Sequence, residues 1–267
     1  MSKTLRHFSH PFALPAYNLS PRKVTKLLLS IVALLLLFNI LESGLISWLN
    51  ENYDLQSRFD IETFPQFFNF DHEANFPSIY SALSLGFCGY LLSMIAAFKR
   101  TERAAYARQW KWLSIIFFAL AVDEACSIHE ISIPLLRTVI KSEGFLYFPW
   151  ILPASILVFI FLLVFRKFIF SLPFRTKALF ILAGAIYVGG AIGMESIGGY
   201  IADTPGLHPA AYAVAATIEE LLEMLGVIIF IYALLSYIKS QLCDLSITYS
   251  FQEKAKRRSH QASSDLV

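Results

Sequence analysis

Charge is scarce in this chain. Asp, Glu, Lys and Arg together make up only 16% of its 267 residues, against about 25% in soluble globular proteins. That is too little to cover a water-facing surface of this size. Disorder is excluded for most of the chain, because 15% of its residues are aromatic, 24 of them Phe, and mean hydropathy is +0.57. Cysteine is also scarce: three residues without paired spacing make neither a disulfide framework nor a thiolate metal site. No phosphate-binding loop, dinucleotide fingerprint, nucleophile elbow or H-E-x-x-H pair occurs, which removes the signatures of several large enzyme classes. What remains is an all-α polytopic membrane protein whose first partner is the lipid bilayer. No nucleic acid is expected, and a homo-oligomer or a membrane partner subunit is left open.

The apolar runs support this reading. A helix needs about 20 mostly apolar residues to cross a bilayer, and six stretches qualify, near 27–48, 77–98, 110–133, 148–168, 178–201 and 211–238. The first is too long for the apolar core of a signal peptide and lacks a small-residue cleavage site, so it reads as a retained helix. Residues 24–239 therefore form the expected six-helix transmembrane domain, with polar tails at 1–23 and 240–267.

The formal net charge of +2 conceals two opposed layers. Nineteen of the 22 Lys and Arg fall before the first run, between the second and third, between the fourth and fifth, or after the sixth. Loops rich in Lys and Arg stay in the cytoplasm, so both termini are expected inside. Sixteen of the 20 acids lie in the other half. Six of them, Asp123, Glu124, Glu195, Glu219, Glu220 and Glu223, look embedded in the apolar runs, with Glu42 and Glu130 nearer the outer ends, while the Lys and Arg inside those runs, Lys111, Arg166 and Lys167, sit within two residues of a run's basic end. Each charge near mid-bilayer costs about 2.5–3.5 kcal/mol on insertion scales, so six unpaired charges at full depth would cost roughly 15–20 kcal/mol. Such groups must be protonated, share protons, face water or hold a cation.

Three segments concentrate them. In VDEACSIHE (122–130), helical spacing puts Asp123 and Glu130 on one face, with Cys126 and Ser127 between them and His129 nearby; Pro134 is expected to stop the helix. In ATIEELLEMLG (216–226), Glu219 and Glu223 are four apart and Glu220 and Glu223 three apart, again one face. In GGAIGMESIGGY (189–200), Ala185, Gly189 and Gly193 read as a small-residue ridge for close helix contact, with Glu195 turned into the bundle. Asp123, Glu124, His129, Glu130, Glu195, Glu219, Glu220 and Glu223 are thus the candidate ligands. Asn39, Glu42, Asp71, His72, Glu73, Cys126 and His208 are candidates to line the same cavity. Cys88 is expected in the core, and Trp48, Trp110 and Trp112 as interfacial anchors.

DEACSIHE and EELLEMLG, of the types DE-x4-HE and EE-x2-EMLG, together with YVGGAIGMESIGGY, resemble motifs of uncharacterised bacterial polytopic membrane proteins. The resemblance spans about 27–238 and implies a multi-pass protein of the bacterial inner membrane, with no activity to carry over.

Three functions fit the residues. The first is an outward-facing intramembrane carboxylate and His cluster that binds protons or a divalent cation (Mn, Fe, Ca or Zn), with transport as its use. The second is a membrane-embedded metal-dependent enzyme on a lipid-like substrate. The third is a non-catalytic membrane subunit with a proton-sharing network.

Overall fold

The computed structural model describes residues 19–53, 66–206 and 209–242. Most of both tails, the segment 54–65 and His208 lie outside the described residues. Those described are helical, with no strand among them.

Helix α1 is Pro21–Tyr53, α2 is Phe76–Thr101 and α3 is Ala107–Cys126. Two short helices follow, α4 (Ile128–Ile131) and α5 (Ile133–Leu136), then a 3-10 turn at Gly144–Leu146. Helix α6 is Ile151–Ser171 and α7 is Phe174–Val188. A π-helical segment, Gly189–Met194, joins α7 to α8 (Glu195–Asp203). Helix α9 is Pro209–Tyr237 and ends in a second π turn, Ile238–Leu242.

Among the described residues, five helices are long and apolar enough to cross a membrane, with α7, the π segment and α8 counting as one of them. The number is six if α3 and the α4–α5 pair form one broken span. The third run was expected to continue to Pro134. It breaks seven residues earlier, where Ser127 takes the left-handed conformation (φ 48°) and the chain bends by 67°.

Helix α9 is the hub and packs against α1, α2, α7, α8 and the intervening π segment. The core is strongly one-sided. Its fully buried members include Leu91, Leu92 and Ile95 of α2, Trp110 of α3, Phe168 of α6, and Ile231, Leu234 and Ile238 of α9 and its last turn. All lie in the half of the bundle that ends in basic loops. Trp110, expected at the interface, is instead 2% exposed and sits among Phe168, Phe180 and Tyr237, with ring centroids 5.0–6.0 Å away. Cys88 is fully buried in the same core, as expected.

The close helix contact also differs from the expected ridge. Gly189 and Gly193 face open space. The tight approach uses Gly190, where a Cβ would lie 2.8 Å from the Glu219 carbonyl, and Gly226, where it would lie 2.8 Å from the Tyr187 backbone nitrogen. In the π segment hydrogen bonds run i to i+5, so the side-chain register of a regular helix no longer applies.

A carboxylate cluster at the acidic end

The polar groups collect in the opposite half. Four separate pieces of chain deliver them, and each has a local reason for its position.

The first is the loop 66–75. Glu42 of α1 accepts hydrogen bonds from the backbone N–H of Phe67 (2.9 Å) and of Phe68 (2.8 Å), and Asn39 accepts one from Phe70 (3.3 Å). Asn75 then caps α2 through a reciprocal pair with Ser78. The loop is held at both ends and presents Asp71 and Glu73 above the cluster. Asn39 and Glu42 therefore hold this loop in place.

The second is the break after α3. Asp123 Oδ1 accepts from the His129 backbone N–H at 3.0 Å, and its Oδ2 is 3.0 Å from His129 Nδ1. One carboxylate thus satisfies a backbone donor of the turn and orients the imidazole. Asp123 and Glu130 do not lie on one continuous helix face, because the chain turns between them. Cys126 is exposed at the turn.

The third piece begins at the 3-10 turn. The Gly144 N–H donates to Asp203 Oδ2 at 2.7 Å, and Gly199 leaves room for Tyr147 and Phe148, which a Cβ would meet at 3.1–3.2 Å. This docking against α8 carries Trp150 to Glu195, where its indole N–H donates to Oε1 at 3.1 Å. The Trp150 ring also lies 4.7 Å from that of His129. Glu195 follows directly on the π segment, a distortion that recurs at functional sites.

The fourth is α9, which supplies Glu219, Glu220 and Glu223. At about 1.5 Å per residue, these lie roughly 15–21 Å along the helix from Pro209.

The four pieces meet. Glu195 pairs with Glu219, and Tyr187 hydrogen-bonds Glu223. Glu223 is in electrostatic contact with Glu124, His129 and Glu195, and Glu220 with Glu223, Glu124, Glu73 and Glu195. Glu124 in turn faces Glu73, His129, Asp123 and Glu130. All eight candidate ligands therefore share one locus, with Glu73 as a ninth member. The ligand atoms of Glu73, His129 and Glu130 lie within 4.8 Å of one another. Glu73 Oε2 is buried and has no hydrogen-bond partner among the described residues. Burial pushes the Glu73 carboxyl above its ordinary 4.5, and Glu130 adds to the shift. Burial likewise raises Asp71, although a hydrogen bond from Tyr212 opposes it. Among the described residues, the only ion pair in the cluster is His129 with Asp123.

His72 is exposed at the rim. Trp150, Tyr187 and Tyr212 were not anticipated. Tyr212 carries a signal in hindsight, since it lies seven and eleven residues before Glu219 and Glu223 on the same helix face. Trp150 and Tyr187 reach the site only through tertiary contacts.

A family model covers this whole unit, residues 27–238. The chain belongs to the DUF8692 family, a domain of unknown function. Neither a curated protein nor a solved structure matches it. The DUF8692 region runs from the first turns of α1 to the last π turn, so it contains every member of the cluster.

Proposed function

We propose that this DUF8692 protein is a multi-pass plasma-membrane protein of six spans, both termini cytoplasmic, with one cation site at its outer end. The basic loops all fall at one end of the bundle, which supports that orientation. The observation that carries the cation reading is the convergence of eight carboxylates from four chain segments with, among the described residues, His129 as their only ion-pair partner. Like charges this close are relieved by protons or by a bound cation. Glu73, His129 and Glu130 offer the nearest set of first ligands, and Asp123 fixes the His129 ring from behind, as second-layer carboxylates do for metal-bound imidazoles. Oxygen donors with one nitrogen suit Mn²⁺, Fe²⁺, Ca²⁺ or Zn²⁺.

Metal analysis of the purified full-length protein tests this. The expected result is a stoichiometric divalent metal, lost in Glu73→Gln and His129→Ala and reduced in Glu219→Gln. A folded protein with no metal, and no metal uptake on titration with Mn²⁺, Fe²⁺, Zn²⁺ or Ca²⁺, defeats the metal form and leaves a proton-sharing network.

A second reading, a metal-dependent enzyme acting on a lipid-like substrate, draws support from the dry basic half. A fixed site open to one side requires no path through that core. Metal-dependent ion flux in liposomes separates the two readings: flux supports transport, and its absence with metal bound supports the enzyme.

A further inference from the structure

The basic end holds a second feature that the carboxylate cluster does not use. Helix α6 stands slightly apart from α3, and the gap between them is a crevice of about 870 Å³. Its apolar lining includes Ala104 and Ala105 of the loop before α3, Ile116 of α3, and Val164 and Phe165 of α6. Its mouth is formed by the first turn of α3, with Arg108, Gln109 and Trp112. This volume lies within the range of small-molecule sites, and its shape is a slot along two helices that face lipid.

The chemistry at the mouth suits an anion. Helix α3 starts from Tyr106, a left-handed residue (φ 66°) whose side chain makes no capping bond. Helix N-termini of this kind leave backbone donors free and favour phosphate groups. Arg108 is exposed and makes no ion pair among the described residues. Around it the basic end holds 13 described Lys and Arg, from Arg22 to Lys239, against one acid, Glu102. Trp112 is 59% exposed and lines the crevice, and exposed indoles near the ends of membrane-spanning helices favour the headgroup level.

We propose that this crevice is a binding site for one anionic phospholipid. The phosphate sits at the first turn of α3 against Arg108, and an acyl chain lies in the slot between Ile116 and Val164. A free phosphate would leave the apolar walls uncovered, and a zwitterionic lipid would gain little from the surplus of positive charge. The inference needs only that the helices span a bilayer. It does not depend on the cation site.

The test uses the full-length protein in phosphatidylcholine vesicles doped with brominated phosphatidylglycerol or, at equal mole fraction, brominated phosphatidylcholine. Bromine quenches nearby indoles, and subtracting a Trp112→Phe variant isolates the contribution of Trp112. Quenching of Trp112 should be at least threefold stronger with the glycerol lipid. Arg108→Gln should remove that preference, and Val164→Phe, which fills the slot, should weaken quenching by the glycerol lipid. Equal quenching by the two lipids overturns the proposal, as does a preference that survives both substitutions. Millimolar inorganic phosphate that displaced the brominated glycerol lipid would also overturn it, because the acyl chain would then contribute nothing. A circular dichroism spectrum matching the wild type shows that each variant has folded.

Discussion

Replacing Gly226 by Ala tests the helix contact on which the carboxylate cluster stands. The added Cβ would lie 2.8 Å from the Tyr187 nitrogen, 2.9 Å from the Tyr187 Cβ and 3.0 Å from the Ala183 carbonyl oxygen. Ordinary contacts begin at 3.4 Å, so α7 must move away from α9 by roughly half an ångström. None of these neighbours is the free end of a flexible side chain, so none can rotate aside. Overpacking of this kind costs about 1–3 kcal/mol, and rigid neighbours place Gly226→Ala toward the upper end. Alanine returns about 0.8–1 kcal/mol through helix propensity, which leaves a net loss near 2 kcal/mol. Gly184, in the middle of α7, is the matched control, because a Cβ there meets nothing within 4 Å. Gly184→Ala should therefore gain up to about 1 kcal/mol. Reversible unfolding in mixed micelles, followed by tryptophan fluorescence, measures both. A gap of about 2–3 kcal/mol between the two variants is expected. If Gly226→Ala proves as stable as Gly184→Ala, the two helices do not approach this closely and the account of the hub fails.

Three further outcomes follow from the same contacts. Glu42→Ala removes the acceptor for two backbone donors, one exposed and one half-buried; hydrogen exchange at Phe67 and Phe68 should accelerate at least tenfold, and unchanged exchange would mean the loop is held elsewhere. Asp123→Ala should cost about 1–3 kcal/mol by freeing the turn at Ser127, while Asp123→Asn, which keeps an acceptor for the His129 N–H, should cost less in the same unfolding assay. Because burial raises the Glu73 carboxyl above its ordinary 4.5, protons compete there with a cation up to a higher pH than at a free carboxylate; apparent affinity should rise with pH until Glu73 is ionised, with a flatter dependence in Glu73→Gln. Calorimetry in buffers of different ionisation enthalpy reads this proton release, and a pH-independent affinity would remove Glu73 from the ligand set.

The helices and the acids were legible in the sequence for the same reason. A bilayer demands long apolar runs, so the runs are conspicuous and so is every charge that interrupts one. Glu219, Glu220 and Glu223 stand out because nothing nearby in the chain offsets them. The break at Ser127 was not legible. No Gly or Pro marks it, and Pro134 pointed to a later stop. It arises because the Asp123 side chain bonds the His129 N–H and so competes with the regular helix. The glycines misled for a related reason. Choosing Gly189 and Gly193 assumed a 3.6-residue period through a segment that is π-helical. Trp110 resembled an interfacial anchor because it sits near a helix start. The packing of Phe168 of α6, Phe180 of α7 and Tyr237 of α9 around it makes it core.

The division of the bundle into a polar half and a dry half constrains what the proposed site can do. From Glu223 to Ile238 along α9 is roughly 22 Å at 1.5 Å per residue, and that depth is filled by fully buried apolar side chains of α2, α3, α6 and α9. The buried Ser114 hydroxyl is engaged in holding two helices together, through a 2.8 Å bond to the Gly89 carbonyl. Among the described residues, a cation released from the carboxylates toward the basic end would meet no further carboxylate before Glu102 at that end. Transport therefore requires the bundle to open. The least constrained place is the seam between α3 and α6, where Trp110 meets Phe168 and where the crevice already separates the helices further along. A fixed metal centre requires no such motion. Tying α3 to α6 across that seam, for example with cysteines at Ile116 and Val164 joined by a bifunctional thiol reagent that spans the crevice, should abolish flux if the protein is a transporter and leave metal content unchanged in either case.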